Sequence, residues 1–114
     1  MTQRLPAVVI DNGTGYTKMG FAGNSEPSYI IPTAIASNEE KDTTKGMSIE
    51  DLNFHIGDEA LSRSKAYQVY YPVRRGEVDN WTHMEKLWQH CIFKYLRTDP
   101  EDHFFCLVRR PLPR

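Results

Sequence analysis

Apolar positions fall along the chain in short, separated runs, first at the period of β-strands and later at the period of a helix. Ala7-Val8-Val9-Ile10 is continuous and stops at Asp11-Asn12-Gly13, a turn signal. Tyr16-Thr17-Lys18-Met19-Gly20-Phe21-Ala22 resumes with strand-forming residues and closes at Gly23-Asn24. Ser28-Tyr29-Ile30-Ile31 ends at Pro32, which has no N–H to give to a ladder. These runs predict an antiparallel meander of three strands. The first, apolar throughout, reads as a strand covered on both faces.

Ser37 to Gly46 contains no apolar side chain and predicts a mobile surface loop reaching to about Asp51. Leu52-Asn53-Phe54-His55-Ile56 alternates as a strand, and Glu59 to Ser64 suits a short helical turn. Tyr70-Tyr71-Pro72-Val73 is expected to be extended, because the residue before proline is driven from the helical region. Met84, Leu87, Trp88, Cys91, Ile92, Tyr95 and Leu96 then form one stripe of an α-helix of about four turns. Asn80 can cap its start, and Thr82-His83-Met84-Glu85 offers a capping box if the start lies later. Asp99-Pro100 ends it. Phe104-Phe105-Cys106-Leu107-Val108 reads as a buried strand, followed by Arg109-Arg110-Pro111-Leu112-Pro113-Arg114.

Composition narrows the function classes. The 114 residues suit one domain or part of one, and 39% are hydrophobic, too many for a disordered chain. A formal net charge of -1, with scattered Lys and Arg, leaves no electrostatic footprint for nucleic acid. No apolar run approaches the length needed to cross a bilayer, and no basic-then-apolar leader is present. The two cysteines, Cys91 and Cys106, form no CxxC pair and suit a reducing, cytosolic compartment.

One segment carries candidate chemistry, Asp11-Asn12-Gly13-Thr14-Gly15-Tyr16-Thr17-Lys18. Glycines let backbone N–H groups approach an anion, Thr14 adds a hydroxyl, Lys18 brings a point charge, and Asp11 is a hard oxygen ligand for hydrated Mg2+. The spacing is neither a Walker loop nor a dinucleotide fingerprint. Asn-Gly between apolar runs is also the signal of a plain hairpin, and pattern alone favours that simpler reading. Asp58 and Glu59 suit N-terminal charge placement on a helical turn. His83 and His90 lack metal spacing and are expected in solvent, as is His55. Cys91 reads as a small core residue. Trp81 and Trp88 read as core anchors.

The chain resembles the N-terminal part of the actin family. The carrying stretches are Ile10 to Gly23, Ile56-Gly57-Asp58-Glu59-Ala60, Tyr71-Pro72 with Gly76, Asn80-Trp81, and the helix with Met84-Glu85. Arg4 to Val9, Tyr16-Thr17, and Ile92 to Arg97 followed by Pro100 to Phe105 are most similar to one actin-related member. That member is a subunit of the complex that nucleates branched actin filaments.

The resemblance implies an α/β, RNase H-like nucleotide-binding fold, shared with sugar kinases and the Hsp70 ATPase. It implies ATP and Mg2+ as cofactors. Gly13, Thr14, Gly15, Tyr16 and Lys18 would face the ATP phosphates, and Asp11 would hold the metal through water. Residues 1–33 and 70–114 would belong to the larger subdomain and 34–69 to a small outer one. Actin and the other subunits of the nucleating complex would be the partners, in the cytoplasm, with a structural and not an enzymatic role. Three features depart from the family. The chain is about a quarter of a subunit, Arg75 replaces the histidine before Gly76, and Val108 to Pro113 follows a different pattern. A phosphotransferase of the same superfamily and a non-functional truncated product are the competing expectations.

Overall fold

The computed structural model describes residues 5–37 and 54–108. Ser37, where the sequence predicts the mobile loop to begin, is instead the fully buried last residue of a strand, because it pairs on both sides there. The rest of that loop at 38–51, the start of the strand at Leu52 and Asn53, and the tail from Arg109 lie outside the described residues. The described elements are mixed α/β.

Strands β1 (Val8–Asn12), β2 (Tyr16–Phe21) and β3 (Tyr29–Pro32) form the expected meander, β1 pairing antiparallel with β2 and β2 with β3. Three more strands, β4 (Ile35–Ser37), β5 (Phe54–Ile56) and β6 (Gln68–Tyr70), form a second antiparallel sheet in the order β5-β4-β6. Helix α1 (Asp58–Ser62) lies between β5 and β6 in the chain. It carries Ala60 into a small apolar cluster with Ala34 and Ala36. Strands β7 (Val73–Arg74) and β8 (Glu77–Val78) make a hairpin around Arg75 and Gly76. Both of those residues have positive φ, 54° and 78°. A two-residue turn of this kind demands two left-handed residues, and Arg75 takes one of them without being glycine.

Helix α2 (Trp81–His90) starts where Asn80 caps it, the side-chain oxygen accepting from His83 N–H at 3.0 Å. The later capping box is not used. The apolar stripe continues past α2 through a π-helical turn, Cys91–Tyr95, in which Leu96 N–H reaches back to Cys91 C=O at 2.9 Å. The expected four-turn α-helix is thus corrected to α2 plus this widened turn, which brings both Cys91 and Leu96 into the core. Met84, Leu87 and Cys91 join Val8, Ile10, Met19, Ile31, Ile35 and Ile56 in one buried cluster. Each large side chain buried there, such as Leu87, contributes about 1.5–3 kcal/mol.

Two expectations about burial are corrected. The last strand, β9 (Phe105–Val108), runs parallel to β1 at one edge of the order β3-β2-β1-β9. It is not buried: Cys106, Leu107 and Val108 are exposed, because among the described elements only β1 lies beside it. Strand β1 is likewise not covered on both faces. Val8 and Ile10 are fully buried beneath the helix, whereas Val9 and Asp11, on the opposite face, are half-buried.

Candidate functional site

Strand alternation sorts the Asp11–Lys18 segment into two faces. Asn12 and Thr17 are register partners on the core side; Asp11 and Lys18 are register partners on the other. Lys18 is therefore exposed, and Asp11 stands directly across from it with one carboxylate oxygen, Oδ1, removed from solvent. A carboxylate and an ammonium group thus flank the mouth of one turn on one face of the sheet.

Three backbone contacts shape the turn. Gly13 N–H donates to Tyr16 C=O at 2.9 Å, closing it. Thr33 N–H donates to Gly15 C=O at 2.9 Å, holding it from the exit of β3. Gly76 N–H donates to Thr14 Oγ1 at 3.1 Å, tying it to the β7–β8 hairpin. A Cβ at position 13 would stand 3.0 Å from Tyr16 C=O, the oxygen that closes the turn, so any larger residue crowds that bond. At Gly15 nothing lies within 4 Å of an added Cβ, and space is open beside the backbone. Thr14, Gly15 and Tyr16 are exposed. Glycine backbone, a hydroxyl and a lysine at an open turn form a cradle that suits an anion.

Trp88 and Asn12 were not singled out by the pattern as site residues. The indole Nε1–H donates to Asn12 Oδ1 at 2.7 Å, so Trp88 is half-buried against the base of the turn instead of being a purely apolar anchor. No periodicity signals this contact across 76 positions. Trp81 is not a core anchor at all, being 65% exposed with its ring 6.2 Å from that of Trp88.

The histidines depart from the solvated expectation. His83 is buried, its ring centroid 4.4 Å from that of Tyr70, because the first turn of α2 packs toward β6. His90 is half-buried, and loss of solvent holds its pKa below the ordinary histidine value, with the nearby Lys94 adding to the effect. His55 packs on Tyr67 at 5.2 Å, and desolvation followed by Arg63 lowers its pKa too. Glu59 forms a hydrogen-bonded ion pair with Lys94, which lowers the pKa of its carboxyl group. Asp58 and Glu59 occupy the first turn of α1, as charge placement predicts. Among the described residues no group of three or more His, Cys, Asp or Glu side chains is placed to hold a metal ion. No helix among them is long and apolar enough to cross a membrane.

The family description Actin matches residues 2–113. The chain is 59% identical over 112 residues to Actin-related protein 3 of Dictyostelium discoideum, covering 95% of this chain and 27% of that protein. It is 59% identical over 120 residues to Actin-related protein 3 of Acanthamoeba castellanii, covering 95% and 28%. The Drosophila melanogaster relative of the same name is 55% identical over 120 residues, covering 98% and 28%. The chain thus spans about a quarter of the length of these relatives. A match across nearly every residue, with relatives more than half identical, places this chain in the actin family.

Proposed function

We propose that this chain supplies one wall of an ATP phosphate site in an actin-related structural subunit. The observation that supports it is the turn itself. Gly13 to Tyr16 closes on itself and is held from outside at two points, yet it leaves open backbone at Gly15 and the Lys18 side chain on its exposed face.

The residues fit a polyphosphate. Backbone of Gly13, Thr14, Gly15 and Tyr16 would line it, and Lys18 would offset its charge through a charge-assisted hydrogen bond. Thr14 Oγ1 accepts from Gly76 N–H and so keeps its own O–H to donate. Mg2+ would take most of its ligands from phosphate and water, with Asp11 a carboxylate at the mouth and no group of three metal-ligating side chains among the described residues. The bound nucleotide would supply the negative charge that Lys18 offsets. In this reading 34–69 is the small outer subdomain, supported by its separate sheet and its own alanine cluster, and 1–33 with 70–114 belong to the larger one. Its partners are actin and the other subunits of the complex that nucleates branched filaments.

The test is a chimera in which residues 5–108 replace the matching segment of the Dictyostelium relative. Micromolar or tighter Mg-ATP binding by calorimetry supports the reading. A folded chimera that binds no Mg-ATP rejects it.

A further inference from the structure

Four side chains that the phosphate contacts do not use form a continuous polar line through the core. Trp88 Nε1–H donates to Asn12 Oδ1 at 2.7 Å, and Asn12 Nδ2 donates to Thr17 Oγ1 at 3.0 Å. Thr17 Oγ1 in turn lies 2.8 Å from Thr33 Oγ1. An indole N–H only donates, so it settles which way the amide points: oxygen to Trp88, nitrogen to Thr17. Thr17 and Thr33 are fully buried, so breaking the link between them strands a hydroxyl away from water, and the two links from Asn12 are part-buried. The line therefore holds its members in one arrangement.

Three of the four members adjoin the turn, and Trp88 reaches it through Asn12. Asn12 immediately precedes Gly13, Thr17 immediately follows Tyr16, and Thr33 N–H donates to Gly15 C=O at 2.9 Å. Both strand ends of the turn and its centre are bracketed by one hydrogen-bonded chain, and the far end of that chain sits on α2. We propose that Trp88 is a positioning residue for the phosphate-binding turn, acting through Asn12, Thr17 and Thr33. The helix then sets the angle at which the turn meets a polyphosphate, and a ligand at the turn is felt at the indole. The ligand in this inference rests on the ATP reading above; the geometry does not.

The test pairs Trp88→Phe, which removes the donor and keeps a ring, with Thr33→Val, which cuts the other end isosterically. In the 114-residue chain, hydrogen exchange should accelerate at least tenfold for the amides of Gly13 and Thr33 in either variant. The Gly57 amide, which donates to Ala34 C=O at 3.0 Å outside the line, should keep its rate. In the chimera, each variant should weaken Mg-ATP binding about tenfold, and the double variant should be no weaker than the worse single one. The indole N–H proton resonance of Trp88 should shift when Mg-ATP is added to the parent chimera. Equal acceleration at all three amides, or none, overturns the positioning role, as does unchanged affinity in a folded Trp88→Phe chimera. If the parent chimera fails to bind, the ATP reading falls, and amide exchange alone decides the positioning claim.

Discussion

Thr14 Oγ1 accepts a hydrogen bond at 3.1 Å from the backbone N–H of Gly76, joining the first turn of the chain to the Arg75–Gly76 hairpin. The bond is exposed, so its worth is that of an ordinary neutral pair. Thr14→Val should lower stability by about 0.5–1.5 kcal/mol, and Thr14→Ser, which keeps the oxygen, by much less. Chemical denaturation of the two variants compares them directly. Equal losses would mean the hydroxyl contributes no more than the methyl group, and a loss confined to Thr14→Ser would mean the methyl alone matters.

The two glycines of the turn should behave differently. Gly13→Ala places a Cβ 3.0 Å from Tyr16 C=O, a backbone oxygen already held by the Gly13 N–H. The turn must distort to admit it, at a cost of about 1–3 kcal/mol. Gly15→Ala meets nothing within 4 Å and should leave the melting temperature nearly unchanged while crowding a bound anion. Thermal melts of both variants check the contrast.

The cysteines should separate by reactivity. Burial pushes the Cys91 thiol up to about 12, whereas Cys106 is exposed on β9. A thiol reagent at pH 8 should modify Cys106 quickly and Cys91 only after denaturation. The raised thiol value also favours the folded state up to the ordinary thiol value of 9.0 and loses that contribution as pH climbs toward about 12. Cys91→Ala should flatten this alkaline decline.

Acid should act in two stages. His90 and His55 have folded-state pKa values below the ordinary 6.5, so protonation favours the unfolded chain. Their contribution is present above 6.5 and is lost as pH falls through the lowered folded values. Glu59, lowered chiefly by its hydrogen bond from Lys94, adds a second loss beginning below the ordinary 4.5. Stability measured from pH 8 to pH 3 should fall in these two windows, and His90→Asn should shrink the first.

Local periodicity made much of the fold legible. The β1–β3 meander, the Asn80 cap and the Met84–Cys91 stripe each follow from spacing within a few residues. What spacing could not convey is what covers a face. Phe105–Val108 has the composition of a core strand, but burial depends on neighbours beyond β1. His83 flanks the apolar stripe by one position, and only the packing of α2 against β6 shows which side of the boundary it takes. At the site, the glycines, Thr14 and Lys18 were visible as a motif. Asn12 was visible only as a turn residue, because its partners Trp88 and Thr17 are brought to it by the tertiary fold.

On the proposed reading, the Gly13–Tyr16 turn and Lys18 contact ATP phosphates. Mg-ATP titrations of the parent chimera and its Lys18→Ala variant, side by side in one calorimetric experiment, test it most directly. Loss of one charge-assisted contact should weaken binding by about 1.5–3 kcal/mol, with the melting temperature of the nucleotide-free protein unchanged. Equal affinities for the two proteins would contradict the claim and leave the hairpin with a purely structural role.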